Sequence, residues 1–386
     1  MFIYLVVFFF SALLFYCSSK IENKSIKFVL IALAILIPSV LAGVRGETVG
    51  TDVALYGKPH FERAMSANSF FKYFKQYSGN ILSEPLYHTL VYNLSRYFDN
   101  YHWALFSYEL LTVGFAYLGM RRCNKLFNTP LWLGMLLYYL AMYNVSLNAM
   151  RQSIAVSIGF FAATYLFERK YIKYGLFSLM AIGFHTSAII SLIFLPMYIL
   201  LKQENISQKK KAVRVSIFIL LIMIVLLFGN TILNLMVQLS IIKPSVLLYL
   251  NGEEWASYGL QYFSLLMHLI YIVFYVIHYR YQKKYSLKLD GGIKIQRAEK
   301  VFFLMICIIT FLTMFGSVIS AFITRMSYYF IPFQTVAMAN ILNCYSKKSK
   351  IIWCSIIILY ALFAWYMFFV IRSNGQTIPY IFDISK

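Results

Sequence analysis

Long apolar runs punctuated by short polar clusters make up most of the chain. Such runs predict helices, because a backbone in lipid has no partners except its own. Twelve can be placed: Phe2–Cys17, Lys27–Val44, Tyr101–Met120, Leu131–Leu147, Gln152–Phe167, Ile172–Phe184, Thr186–Leu201, Val213–Phe228, Gln261–Tyr281, Ala298–Ile319, Met326–Leu342 and Ile351–Ile371. Several are shorter than the ~20 residues of a straight span, so protein or a water-filled cavity would flank them. The pattern is that of an all-α polytopic integral membrane protein, one integral domain over residues 1–386 without internal repeats. Met1–Cys17 lacks a basic n-region and a small-residue cleavage site, which predicts a retained helix and not a signal peptide.

Ile172–Leu201 admits two readings, one long helix or two short ones broken at Phe184–His185–Thr186–Ser187. Basic residues decide. Arg169, Lys170 and Lys173 precede it, and Lys202, Lys209, Lys210, Lys211 and Arg214 follow it. Two spans put both groups on the cytoplasmic side, as the positive-inside rule asks, and turn His185 outward. The same side then holds Lys20, Lys24 and Lys27; Arg121, Arg122 and Lys125; Arg280, Lys283, Lys284, Lys288, Lys294, Arg297 and Lys300; and Lys347, Lys348 and Lys350. That is 24 of the 35 Lys and Arg residues. Both termini fall outside.

Two outer loops are long. The first, residues 45–100, opens with Arg45–Gly46–Glu47–Thr48–Val49–Gly50–Thr51–Asp52, where the glycines permit turns that side chains would block. Ser83–Glu84–Pro85 reads as a helix start. Leu86, Leu90, Val91, Leu94 and Tyr97 follow at helical spacing, predicting an amphipathic helix at the interface or over a cavity. The second loop, residues 229–259, carries Lys243–Pro244 and Gly252–Glu253–Glu254–Trp255. Its apolar middle, Leu233–Leu250, is able to dip into the membrane.

Composition sharpens the class. The 386 residues are 61% hydrophobic and 13% charged, with a mean hydropathy of +0.69, which excludes a soluble domain. A net charge of +21 raises nucleic acid as a partner, but the basic residues sit in short clusters between apolar runs, which argues against it. Cys17, Cys123, Cys307, Cys344 and Cys354 show neither metal-ligand spacing nor a disulfide framework.

Polar residues outside the basic clusters and ordinary loop surface are few. Arg45, Asp52, Glu84, Asn148, Arg151, Gln152, His185 and Arg325 all fall at outer helix ends or in the first outer loop. If the helix of Ile154–Phe167 starts at or before Asn148, then Asn148, Arg151 and Gln152 share one face. Arginines from separate helix ends suit an anionic group such as phosphate, because each guanidinium offers forked donors. His185, Asp52 and Glu84 could move a proton. Plainer readings exist for each: a snorkelling Arg45 or Arg151, a turn Asp52, a first-turn Glu84 and a satisfied helix-end His185. Two intramembrane residues compete, Glu109 and His268, which could form a transporter-like proton relay. No outer-face residues share metal-ligand spacing, so no metal and no cofactor is expected.

These motifs resemble the EpsG family of exopolysaccharide and O-antigen polymerases, the Wzy-type enzymes. The resemblance rests on Arg45 with Gly50–Thr51–Asp52 and Tyr56, on Asn148 with Arg151–Gln152, on Phe184–His185–Thr186–Ser187–Ala188, and on Arg325 followed by Tyr328–Tyr329–Phe330, in that order. Glu84–Pro85 and Ile378–Pro379–Tyr380 fit less diagnostically. The resemblance implies a bacterial inner-membrane glycosyltransferase working at the outer face. It would transfer a growing glycan from undecaprenyl pyrophosphate to the non-reducing end of a lipid-linked repeat unit. Arg45, Arg151 and Arg325, with Asn148, Gln152 and Tyr328, would bind the pyrophosphates. His185, then Asp52, then Glu84 would be the base. A GT-C-like fold follows by analogy. A chain-length regulator would be a further protein partner beside the bilayer and the lipid-linked substrates. The alternatives are a lipid-linked oligosaccharide flippase and an outer-face glycan ligase. A cysteine placed at position 187 should react with an impermeant reagent added outside intact cells. Labelling only after permeabilisation would refute the outward His185.

Overall fold

The computed structural model describes residues 1–77, 84–202, 207–239, 258–285, 297–316 and 325–383. In chain order its helices are α1 (Phe2–Lys20), α2 (Lys24–Gly43), α3 (Lys58–Ser66), α4 (Phe70–Tyr77), α5 (Pro85–Tyr97), α6 (His102–Phe127), α7 (Leu131–Tyr138), α8 (Asn144–Asn148), α9 (Met150–Thr164), α10 (Tyr171–Phe184), α11 (Phe194–Lys202), α12 (Gln208–Leu227), α13 (Gly229–Gln238), α14 (Tyr258–Tyr285), α15 (Arg297–Gly316), α16 (Ile331–Asn340) and α17 (Lys347–Trp365). A π-turn, Tyr139–Tyr143, joins α7 to α8. Among the described residues there is no strand; one isolated bridge pairs Arg45 with Phe382. Ser83, Lys243–Pro244, Gly252–Trp255, Lys288, Lys294 and residues 317–319 of the tenth expected span lie outside the described residues.

Phe2–Lys20, Lys24–Gly43 and Lys347–Ile371 are long and apolar enough to cross a membrane, and Tyr171–Phe184, Thr186–Lys202, Val213–Ile224 and Tyr262–His278 are shorter apolar helices. Large apolar side chains lie uncovered on two of the long ones: Phe28 is 71% exposed and Ile351 70%. Water would penalise such continuous apolar faces, whereas lipid accepts them. The chain is an all-helical membrane protein.

It forms two compact units, Met1–Leu192 with Tyr345–Lys386, and Ile193–Cys344. The first is an antiparallel bundle built around α6 and α9. α9 is buried almost all round, as a helix apolar on every side must be. Two hydrogen bonds prove its reversals. The Tyr138 hydroxyl lies 2.8 Å from Ser157 Oγ, although a continuous helix would separate those residues by about 28 Å. Tyr174 donates to the Ser191 carbonyl at 2.9 Å, where a continuous helix would need about 25 Å. The chain therefore turns back at Ala149 and again at His185, which is extended (φ −156°, ψ 126°) and ends α10. The expected break at Phe184–Ser187 is found.

Proline placement explains one helix contact. Pro38 has no N–H for the Ala34 carbonyl one turn earlier in α2. Ser11 of α1 donates to that carbonyl instead, at 2.7 Å, so α1 closes a gap that lipid could not.

Some boundaries differ from expectation. α6 runs past Met120 to Phe127, because Arg122 finds partners beyond the apolar run: Glu168 at 2.6 Å and Thr164 at 2.7 Å. The segment of residues 45–100, expected as an outer loop, holds α3 and α4 as well as the expected α5. In α5 the buried residues are Tyr87, His88, Val91 and Ser95, while Leu86 and Tyr97 are exposed. Its inner face is thus aromatic and polar, since those side chains meet partners inside. The second unit packs Phe194, Phe302, Phe303 and Phe333 together and pairs Lys202 with Glu299 at 3.1 Å.

Helices α6 and α9 approach closely at Gly119, where an added Cβ would lie 2.4 Å from the Phe160 ring. Gly119→Ala should cost about 1–3 kcal/mol by overpacking. Phe160→Leu should recover most of it, read as thermal unfolding in detergent.

Candidate active site

The site grows from the reversal at Ala149. In a continuing helix the Leu147 carbonyl would accept the Arg151 amide. Here Arg45 Nη2 donates to it at 3.0 Å, and the same nitrogen lies 3.1 Å from Met150 Sδ. Ala149 leaves helical geometry (φ −91°, ψ 57°), so α8 ends at Asn148 and α9 begins at Met150. Asn148, Arg151 and Gln152 therefore do not share a face of one helix as expected.

Gly50 lies against this turn. Its φ is +90°, and an added Cβ would sit 2.6 Å from the Leu147 oxygen, so only glycine fits. Close approach there lets Thr51 Oγ1 donate to Asn148 Oδ1 at 2.7 Å, with the Asp52 amide 3.4 Å from the same oxygen. The C-terminal segment closes the other side. Gly46 and Gly50 amides donate to the Ile381 and Gln376 carbonyls at 2.9 and 3.1 Å, and the Asp383 amide donates to Val44. Tyr4 and Asn144 hold Thr377 from the bundle, at 2.6 and 2.9 Å.

The second reversal supplies the chemistry. Arg151 Nη1 is 2.5 Å from Glu84 Oε2, and His185 Nε2 is 3.6 Å from Glu84 Oε1. Glu84 stands before α5 with φ +56°. Leu86, two residues on, packs against Gly183, so α5 is seated beside the His185 break. The Ser187 amide donates to His185 Nδ1 at 3.2 Å. That nitrogen is thus an acceptor, and the neutral ring carries its proton on Nε2, facing Glu84. The Arg151 guanidinium also lies over the rings of Tyr56 and Tyr87, 4.9 and 5.3 Å from their centroids, and feels the charge of Asp52.

Arg45, Asp52, Glu84, Asn148, Arg151 and His185 thus gather at one end of the first unit. The clusters at Lys20–Lys27, Arg121–Lys125 and Arg169–Lys173 occupy the turns at the other. Arg45 is only 1% exposed, and Gln152 is also buried. Arg325 and Tyr328 belong to the second unit, where they interact electrostatically. Glu109 is buried in α6 and accepts from Ser146 Oγ at 2.7 Å, with Arg45 in electrostatic reach. His268 is buried in the second unit, within electrostatic reach of Gln334.

Sequence reading passed over the group that backs this site. His60 of α3, His88 of α5 and the rings of Tyr73 and Tyr87 pack together, with His88 Nδ1 3.1 Å from the Tyr73 hydroxyl. Burial, with Arg151 nearby, pushes His60 down to about 3. Burial also lowers His88 to about 4, against the pull of Glu84. Histidines at these spacings carry no periodic signal. Thr377 and Gly375 of the closing segment were missed as well; Gly375, at φ +73°, was their one visible mark.

An apolar helical bundle that ends in a shared Arg–Glu–His cluster defines an integral membrane protein with a polar site at its helix ends. The chain belongs to the EpsG family, which matches residues 28–382. That membership places it among membrane proteins of polysaccharide biosynthesis. No curated protein and no solved structure matches it.

The two neutral histidines yield a pH test. In the unfolded chain each titrates near ~6.5, and in the fold far lower. Their contribution to stability is complete above about pH 6.5 and declines as pH falls toward the folded values, because the unfolded state then binds more protons. Hydrogen exchange in α3 and α5, corrected for intrinsic rates, should speed up between pH 7.5 and 5. A His60→Leu/His88→Leu variant should lose that dependence.

Proposed function

We propose that the protein is a polysaccharide polymerase. It transfers a growing glycan from undecaprenyl pyrophosphate to the non-reducing end of a lipid-linked repeat unit, at the outer face of a bacterial inner membrane. The observation that carries the proposal is the Arg151–Glu84–His185 line at two helix reversals, at the end of the bundle opposite the basic turns. By the positive-inside rule the basic end is cytoplasmic, so the site faces out. Twelve spans with outer termini, and a GT-C-like arrangement, complete the reading.

The acceptor hydroxyl oxygen would attack the anomeric carbon of the donor glycan. Its bond to the pyrophosphate oxygen breaks, and the leaving group keeps the electron pair. The hydroxyl proton passes to the Glu84–His185 pair. Glu84 is placed to receive it first, since the neutral His185 ring already has its proton on Nε2. Asp52, within the field of Arg151, is the alternative base. Arg151 stabilises the departing pyrophosphate by charge-assisted hydrogen bonds. Asn148 sits beside it at the reversal. Arg45 and Gln152, both buried, are better suited to positioning the turn than to touching substrate. Arg325 and Tyr328 are proposed pyrophosphate contacts on the strength of their motif. A chain-length regulator is a proposed partner.

Glu84→Gln and His185→Asn should each slow extension by about 10²–10⁴-fold and leave single-repeat or very short glycans at matched protein level. Arg151→Lys should recover little, because Lys offers a point charge and not a fork. Glu109→Gln should polymerise. An inactive Glu109→Gln beside an active His185→Ala would favour the proton-coupled transporter instead. Complete loss of surface glycan on gene deletion, without single-repeat caps, would favour a ligase or flippase.

A further inference from the structure

The first unit carries a cavity remote from the site just described. It is a side-open groove of about 1150 Å³ at the basic end of the bundle, between α2 and α6, with parts of α1 and α7 on its rim. Its mouth is cationic and its depth apolar. Lys20, Lys24, Lys27 and Arg121 stand at the mouth. Among the described residues none of these four makes an ion pair with a carboxylate. Glu22, the one acid in that turn, is exposed and pairs with none of them. Two of the cations are held at the rim. Lys20 lies over the Tyr16 ring, 5.6 Å from its centroid, and Arg121 lies within electrostatic reach of Tyr117.

Below the mouth the walls are Phe28, Ile35, Leu111 and Leu118, each at least partly exposed. Gly114 forms part of the floor, and a Cβ added there would meet no atom within 4 Å. Along α6 the lining runs from Asn124 to Leu110, and the part below Arg121, at 1.5 Å per residue, is about 16 Å long. Half of a ~30 Å hydrocarbon core is about 15 Å. The groove is therefore one leaflet deep, with its charge at headgroup level.

We propose that this groove binds one anionic glycerophospholipid of the adjacent leaflet. Its phosphate would lie among Lys20, Lys24, Lys27 and Arg121, and an acyl chain would lie along Gly114. Charge complementarity names the headgroup, and the apolar depth names the tail. An acidic peptide is a poor occupant, because its backbone groups would find no partners in the lower half. The binding stands independently of the polymerase reading.

The test uses full-length protein in a neutral detergent, titrated with phosphatidylglycerol or phosphatidylcholine of equal chain length and read by native mass spectrometry. Phosphatidylglycerol should bind at least tenfold more tightly, since each nearby Lys or Arg supports about fivefold. A Lys20→Ala/Lys24→Ala/Lys27→Ala/Arg121→Gln variant should bring the two lipids near parity. Gly114→Leu should weaken both by filling the floor. Leucine propagates a helix better than glycine, so this variant is expected to fold, and a thermal melt checks it. Parity of the two lipids on the unaltered protein would overturn the proposal. So would unchanged phosphatidylglycerol binding by Gly114→Leu, which would mean headgroup attraction alone. Equal competition by soluble glycerol phosphate, or tighter binding of a polyprenyl phosphate, would also overturn it.

Discussion

The buried guanidinium of Arg45 on the Leu147 carbonyl is the contact from which the polar end of the first unit is built. A helix that reverses inside a bundle leaves carbonyls that neither water nor lipid reaches. Arg45 takes one of them with a charged donor. A guanidinium hidden to this degree is costly unless it is hydrogen-bonded. The bridge to Phe382 and the amides of Gly46 and Asp383 hold the backbone beside it. With Arg45 fixed, Gly50 can press on the turn, and Asn148 meets Thr51. Only then does α9 start at Met150, which puts Arg151 at the first turn, where it can reach Glu84.

The Arg151–Glu84–His185 line depends in turn on what lies behind it. Two aromatic faces, Tyr56 and Tyr87, support the guanidinium and hold water away from one side. His60 and His88 sit close by in their neutral form, which keeps further positive charge out of the group. Glu84 is thereby held through both carboxylate oxygens, one against Arg151 and the other facing His185. Such a site is preorganised by three separate segments of chain, none of which could form it alone. Glu109, by contrast, is engaged by Ser146 in the bundle interior, which suits a structural part better than a relay.

Much of this was legible in the order of residues. Apolar runs located the helices, since lipid and protein interior both select for them. The break at His185 followed from basic residues on either side of Ile172–Leu201, and the Tyr174–Ser191 hydrogen bond shows the reversal. Glu84–Pro85 marked the start of α5, and the four family motifs marked most of the polar residues that gather at one end. Other features were not legible. The inner face of α5 is Tyr87, His88 and Val91, because the partners that make those side chains fit inside come from α4 and α6. Asn148 and Arg151 looked like neighbours on one helix until the Leu147 carbonyl turned out to be taken by Arg45.

Sequence alone determined the class of protein, the places where helices begin and break, and the set of polar residues that lipid would not tolerate without cause. Those are local properties, set by the transfer cost of each side chain and by backbone hydrogen bonding within a few residues. Tertiary structure decided which polar residue answers which. Arg45 reaches Leu147 across 102 positions and Arg151 reaches Glu84 across 67. No periodicity encodes partners so far apart, because their meeting depends on how whole helices pack and not on the spacing along either one.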